Sequence, residues 1–266
     1  MSNNWNLERL ERQAISNQNF DDYVLNESKI LKHDNLKVLD IGCSNGFKTK
    51  MLFDKYENII KIDGIDVDEK AIDEAKKDFL NNTKYRFELK SIDDLELNDK
   101  YDIINLSYVL QHLENPKEVL KKLRNMLTDR GVIIIKVPDD SFKFCYPNND
   151  ILKEIFDLYE NEIMRKSSIT RYTDRYIGKK VYNYLSESQY NDINLYYSIT
   201  DTIGKTEEEK EKLFESSIAF RTGKDKENVS DEIKGKIELL LNKMKETFKQ
   251  EGFYYTMSVL YYIARK

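Results

Sequence analysis

The stretch "VLDIGCSNGF", residues 38–47, is a short apolar run that stops in a turn holding Gly42 and Gly46. Three chemistries use such a turn. Gly42-Cys43-Ser44-Asn45-Gly46 fits the G-x-S-x-G pattern that presents a hydrolase serine. That elbow needs an oxyanion donor from an earlier strand's loop, then an acid and a histidine later in the chain. Ser44 would sit on the first strand, with no earlier strand pattern before it, and the sole later histidine is His112. A dinucleotide loop, G-x-G-x-x-G, requires glycine at 44 and 47, where this chain has Ser44 and Phe47. Close backbone approach to a pyrophosphate is then less available, and NAD or FAD becomes a minor alternative.

The third reading uses the acids around the turn. Asp40 stands just before the first glycine, and Asp66 closes the next strand. An acid about 20 residues beyond such a loop accepts hydrogen bonds from ribose hydroxyls and disfavours a 2′-phosphate. A ligand with a ribose and no phosphate needs no deep glycine cradle. S-adenosylmethionine is one, with an amino-acid end, a sulfonium and an adenosine. Asp40 is expected near its ammonium, directly or through water.

Outward from the turn, strand and helix alternate. "LKVLDIG" reads as a strand and "FKTKMLFDKY" as an amphipathic helix. "IIKIDGIDVD" and "EKAIDEAKKDFL" repeat the pair, with Ala71, Ile72, Ala75 and Phe79 at helical spacing. "YRFELKSIDDL" is a third strand and turn, and "YDIINLSYVL" a fourth strand that leads to the helix "PKEVLKKLRNML". "RGVIIIKVPDD" is a fifth strand, its apolar run continuous as for a strand buried on both faces. This rhythm predicts an α/β fold with a doubly wound, mostly parallel sheet. Before it, residues 5–32 read as one or two helices, with Leu7, Leu10 and Ala14 at helical spacing.

After residue 140 the rhythm changes. Helices are expected over "NDILKEIFDLYENEIM", "RYIGKKVYNYLSESQ", "TEEEKEKLFESSIAF" and "SDEIKGKIELLLNKMKETFKQ". Strands are expected at "NDINLYYSIT" and "FYYTMSVLYYIARK". The division read from this pattern is residues 1–35 as helices covering the site, 36–200 with 251–266 as the core, and 201–250 as a helical insertion or lid.

Composition narrows the function classes. The chain has 266 residues and a formal net charge of −5, with no dense Lys/Arg block, so nucleic acid is not an expected partner. Two cysteines and two histidines are too few for a disulfide framework or a multi-histidine zinc site, and no metal is expected. The N-terminus lacks an apolar signal core and no stretch approaches a membrane span, so the expectation is a cytoplasmic chain with no membrane partner.

In this order and spacing the motifs resemble the core of class I S-adenosylmethionine-dependent methyltransferases, small-molecule type. "VLDIGCSNG" resembles their first motif, "GIDVDEKAIDEAK" their second, and "SIDDLEL" the turn that meets adenine. "YDIINLSYVLQHLENP" resembles the fourth strand with its helix, and "LRNMLTDRGVIIIKVP" the fifth. "TDRYIGKKVYNYLSESQYNDINLYYSITDT" and "FYYTMSVLYYIARK" resemble the sixth strand with its helix and the seventh strand, implying a seven-stranded sheet with an added helical cap. Residues 201–249 resemble nothing assignable.

The resemblance implies S-adenosyl-L-methionine as cofactor and places residues around it. Asp40, Gly42, Cys43 (through its backbone) and Gly46 match the loop at the methionine end; Asp66 matches the ribose acid, with Val67 beside adenine. Ile92 and Asp93 match the adenine-edge turn, and Leu106 with Ser107 the strand end near the transferred methyl. Two positions depart: Ser44 replaces the usual middle glycine, and Ser91 stands where an acid is common, which shifts the expected N6 contact to Asp93.

His112, one turn past the fourth strand, is the candidate base for a hydroxyl or ammonium acceptor. The bland alternative is a hydrogen-bonded histidine at a helix start. Many methyl transfers need only in-line alignment, because a sulfonium is already a good leaving group. Among eighteen tyrosines, Tyr108, Tyr172 and Tyr176 are candidate walls for a small-molecule acceptor; aromatic packing is the alternative. Trp5 and Tyr23 are candidate covers for the cofactor. Two other functions stay open: methylation of a protein or RNA, and a silent cofactor-binding regulator. The acceptor, the atom methylated and the oligomeric state are not legible.

Overall fold

The computed structural model describes residues 7–148, 150–167, 171–221 and 229–266; Trp5 lies outside them. Eight strands form one sheet: β1 (Leu36–Ile41), β2 (Ile59–Asp66), β3 (Tyr85–Leu89), β4 (Tyr101–Ser107), β5 (Leu127–Pro138), β6 (Phe144–Tyr146), β7 (Asn191–Asp201) and β8 (Tyr254–Arg265). The helices are α1 (Leu7–Glu27), α2 (Phe47–Phe53), α3 (Glu69–Asp78), α4 (Pro116–Met126), α5 (Ile151–Leu158), α6 (Val181–Glu187), α7 (Glu207–Ser217) and α8 (Asp231–Phe248).

The strand order is β3-β2-β1-β4-β5-β8-β6, with β7 also on β8. The first five strands pair in parallel. The expected α/β sheet is present with one strand more than the seven anticipated. The addition is β6, three residues that pair antiparallel with Tyr254–Thr256 of β8. So short a segment carries no periodic signal of its own.

The chain divides into two compact units. One comprises Met1–Val137, Gly178–Tyr196 and Leu260–Lys266; the other Pro138–Ile177 and Tyr197–Val259. The second is larger than the insertion read at 201–250, because the segment after β5 belongs to it.

In the first unit, local chemistry explains the alternation. Val38, Leu39 and Ile41 of β1 are all buried, so its apolar positions are continuous, not alternating. Asp68 caps α3 by accepting from the N–H groups of Lys70 and Ala71. Pro116 opens α4, whose Val119, Leu120, Leu123 and Met126 form the buried stripe. Because β1 has β2 on one side and β4 on the other, the strand order reverses there. Ligands in open α/β sheets bind at the carboxyl edge beside such a reversal.

The second unit has its own core, drawn from α5, a π-helical turn over Tyr159–Met164, α7, α8 and the first half of β8. Within it Asp140 gathers three cations. Arg175 Nη2 lies 2.9 Å and Lys143 Nζ 3.0 Å from Oδ1, while Arg221 Nη2 lies 2.8 Å from Oδ2. Burial alone would raise the Asp140 carboxyl; Arg175, Arg221 and Lys143 outweigh it and hold it well below the usual range. The Arg221 guanidinium stacks 4.3 Å from both the Phe156 and Phe220 ring centres. No helix among the described residues is long and apolar enough to cross a membrane.

Candidate active site

Between β1 and α2 the backbone enters the left-handed region at alternate residues: φ is 72° at Gly42, 51° at Ser44 and 77° at Gly46. Glycine adopts this freely; at Ser44 it carries a steric cost of about 1–2 kcal/mol. The loop is fixed from the neighbouring strand. The N–H groups of Gly42 and Cys43 both donate to Ile65 O, at 2.8 and 3.1 Å. Ser44 N–H donates to Asp66 Oδ2 at 2.8 Å, and Asp68 N–H to Asp66 Oδ1 at 3.0 Å. Gly42 is also required sterically: a Cβ there would lie 2.3 Å from Val109 Cγ2.

Asp66 thus has one backbone donor on each carboxylate oxygen. A carboxylate offers about four lone-pair sites, so two remain for a pair of hydroxyl donors. Val67, 60% exposed, adjoins it as an apolar surface. At the end of β3, Ile92 is buried and Asp93 exposed. Asp93 N–H is engaged by Ser91 Oγ at 3.2 Å, so the base contacts the resemblance implies fall to the Asp93 carboxylate and the Ile92 N–H. This donor and acceptor set fits a ribose followed by a base.

Asp40 plays an internal part. It is buried, and both oxygens accept hydrogen bonds, from Thr49 Oγ1 at 2.5 Å and Asn105 Nδ2 at 2.7 Å. Burial raises its carboxyl above the ordinary value. Lone-pair sites remain on Asp40 beyond these bonds, but they are buried, so a ligand ammonium reaches them directly only by giving up water. Cys43 is buried, and burial pushes its thiol well up, which leaves the backbone as its contribution. Leu106 is also buried and offers only main chain.

At the end of β4, Tyr108 holds φ at 58°. Its N–H donates to Lys136 O and its carbonyl accepts from Gln111 Nε2, both at 2.8 Å. Such strain persists only where neighbours over-determine it, and it clusters at functional positions. His112 closes the short 3₁₀ turn Leu110–His112, with Nε2 3.3 Å from Gln111 Nε2. With an N–H of Gln111 turned toward it, that ring nitrogen is the acceptor of the contact. Tyr172 and Tyr176 belong to the second unit and Tyr108 to the first. Tyr23, half exposed on α1, packs against Phe20 and Tyr196.

Sequence reasoning missed a charged cluster at this edge. Asp21 of α1 lies 2.9 Å from Lys136 Nζ and 3.4 Å from Lys48 Nζ. Lys48 also bonds to Ser107 Oγ. The rings of Tyr108 and Tyr261 each have Lys136 Nζ 5.0 Å from their centres. The available signal was Lys136 itself, a charge inside the apolar run "VIIIKVP".

Comparison with known proteins places this arrangement. Over 134 residues the chain is 26% identical to the mitochondrial ubiquinone biosynthesis O-methyltransferase of Candida albicans, an alignment covering 49% of this chain and 41% of that protein. Over 98 residues it is 32% identical to the malonyl-[acyl-carrier protein] O-methyltransferase of Acetivibrio thermocellus, covering 37% and 34%. The chain thus spans less than half the length of these curated relatives. In structure it resembles phosphoethanolamine N-methyltransferase 2 of Haemonchus contortus, solved with S-adenosyl-L-methionine, at a TM-score of 0.55 and 13% identity, covering 88% of this chain and 49% of that one. A family profile described as "Methyltransferase domain" matches residues 32–192, which include the glycine loop, Asp66, the adenine-edge turn and the β4 end, and the chain belongs to that methyltransferase domain family.

Proposed function

We propose that this protein transfers a methyl group from S-adenosyl-L-methionine to a small-molecule acceptor. The observation that carries the reading is the pairing of Asp66 with the Ser44 N–H, which joins a carboxylate with acceptor capacity to a loop that has Ser44 and Phe47 where a pyrophosphate cradle has glycine. Family membership and the cofactor in the Haemonchus contortus structure support it. S-adenosyl-L-methionine supplies an electrophilic methyl on a sulfonium. In this reading Asp66 holds the ribose hydroxyls, Val67, Ile92 and Asp93 receive the adenine, and the backbone from Gly42 to Gly46 borders the methionine end.

Leu106, Ser107 and Tyr108 border the point of transfer, where alignment of nucleophile, carbon and sulfur lowers the barrier. Tyr108 stays a candidate acceptor wall and His112 a candidate base; Tyr172 and Tyr176 stay candidates within the second unit. For His112 to take a proton at Nε2, the Gln111 contact must turn away. The net charge of −5 favours a small acceptor over RNA. A cytoplasmic setting completes the reading. The test is incubation with tritium-labelled S-adenosyl-L-methionine and a metabolite panel. Label in a small molecule supports the reading; cofactor binding with no acceptor labelled supports the silent regulator.

A further inference from the structure

Two ammonium groups share one carboxylate at the carboxyl edge of the first unit. Asp21 meets Lys136 at 2.9 Å and Lys48 at 3.4 Å, and Lys136 and Asp21 have side chains only 2% and 5% exposed. If both lysines are charged, Asp21 faces two cations, of which Lys48 keeps 23% of its side chain exposed and Lys136 only 2%. Lys48, on α2, keeps contact with water and a bond to Ser107 Oγ, so of the two ammonium groups the neutral form costs least at Lys136.

Its position is specific. Lys136 is the register partner of Ser107, the strand end that borders the point of transfer. Its carbonyl holds the strained Tyr108, and its amine lies between the faces of Tyr108 and Tyr261. The groups that face it are Asp21 from α1, Lys48 from α2, Tyr108 from the end of β4 and Tyr261 from β8.

We propose that Lys136 takes the proton released by the methyl acceptor, an inference that rests on the methyl-transfer reading. The acceptor is then a hydroxyl or a protonated nitrogen. A new bond forms from its oxygen or nitrogen to the methyl carbon, the carbon–sulfur bond breaks, and sulfur keeps the electron pair. The acceptor's proton passes to the lone pair of the Lys136 amine. The resulting ammonium is received by Asp21 and by two aromatic faces, which stabilise a cation released from water. Burial, reinforced by repulsion from Lys48, pushes the Lys136 amine down to about 7, so the neutral form is available at neutral pH.

Two measurements test this on the full chain. In the first, carbon-13 NMR of labelled lysines is followed against pH with and without S-adenosylhomocysteine. Two ε-carbons that titrate near pH 7 are expected, from Lys136 and Lys143, and the one missing in Lys136→Met is the Lys136 signal. In the second, methyl transfer from labelled cofactor into a deproteinised metabolite extract is followed from about pH 6 to 9. The wild-type rate should rise through about pH 7, while Lys136→Arg, which keeps its charge at all these values, should fall about 100-fold and lose the rising limb. Affinity for S-adenosylhomocysteine should stay within about twofold, since Lys136 holds no part of the adenosine site. A Lys136 that stays protonated beyond about pH 9 overturns the proposal. So does a rising limb that survives in Lys136→Arg and vanishes in His112→Ala. Failure of the chain to bind S-adenosylhomocysteine would instead fell the methyl-transfer reading, and the NMR titration would still report on Lys136.

Discussion

Ser44 donates its backbone N–H to Asp66 Oδ2 across 2.8 Å, so the loop after β1 and the carboxylate that ends β2 form one hydrogen-bonded unit. Ser44 sits at φ 51°, where a side chain is strained, and that bond helps hold it there. The acid proposed to grip the ribose thus also shapes the loop proposed to border the methionine end.

Asp66→Ala removes both roles together. It should weaken S-adenosylhomocysteine binding by about 10- to 100-fold, the range for losing hydrogen bonds to a charged group. Isothermal calorimetry reads this directly, and unchanged affinity would end the ribose assignment. Ser44→Gly should leave affinity intact and raise stability slightly, because it relieves strain while keeping the N–H.

Gly42→Ala should cost about 2–3 kcal/mol, combining a positive φ with overpacking against Val109. The steric share is specific: the new Cβ would stand 2.3 Å from Val109 Cγ2. Denaturant unfolding of Gly42→Ala, Val109→Ala and the double variant should show a favourable coupling of about 1 kcal/mol. Strict additivity would mean that the valine is not the obstacle.

Lys136 and Lys143 are both pushed down by burial, to about 7, from an ordinary value of 10.5. Between those limits the unfolded chain binds more protons than the folded one. The penalty for burying these lysines is therefore full below pH 7 and is relieved as pH rises toward 10. Each contributes a positive slope of up to about 1.4 kcal/mol per pH unit in that window. Lys136→Met should flatten the rise of unfolding free energy between about pH 7.5 and 9.5 by up to one proton. A slope equal to wild type would show that Lys136 stays charged in the folded state.

Asp140→Asn keeps the shape of the side chain and removes the carboxylate that Arg175, Arg221 and Lys143 share. Breaking a buried ion pair from one side costs about 3–5 kcal/mol. The carboxyl is held low, so its stabilising contribution is present above the ordinary carboxylate range and is lost as pH falls through the lowered value. Thermal unfolding should show a large drop in midpoint for Asp140→Asn at neutral pH, and little change would mean that the cations are neutralised elsewhere.

The alternation from β1 to β5 was legible because each parallel strand is an apolar run and each helix carries a buried stripe. Gly42 and Gly46 were legible because a turn at positive φ favours glycine. Asp66 was legible because it closes the second strand, where its bond to the loop is found; its ribose role is part of the proposal. β6 was not, because "FCY" becomes a strand only by pairing with Tyr254–Thr256. The Asp21–Lys136 and Asp140–Arg221 pairs were not, because 115 and 81 residues separate their partners. Periodicity reports burial along one element and says nothing about which distant charge will meet another. The internal role of Asp40 was hidden likewise, since Thr49 and Asn105 reach it from α2 and β4.

The central claim is that the carboxyl edge of this sheet holds a ribose and an amino-acid tail with no phosphate between them. Titrating the purified chain with S-adenosylhomocysteine, NAD and FAD in a calorimeter tests it most directly. Saturable binding of S-adenosylhomocysteine that is lost in Asp66→Ala, with no heat from either dinucleotide, is the predicted result. Saturable binding of NAD or FAD, with none of S-adenosylhomocysteine, would contradict the account.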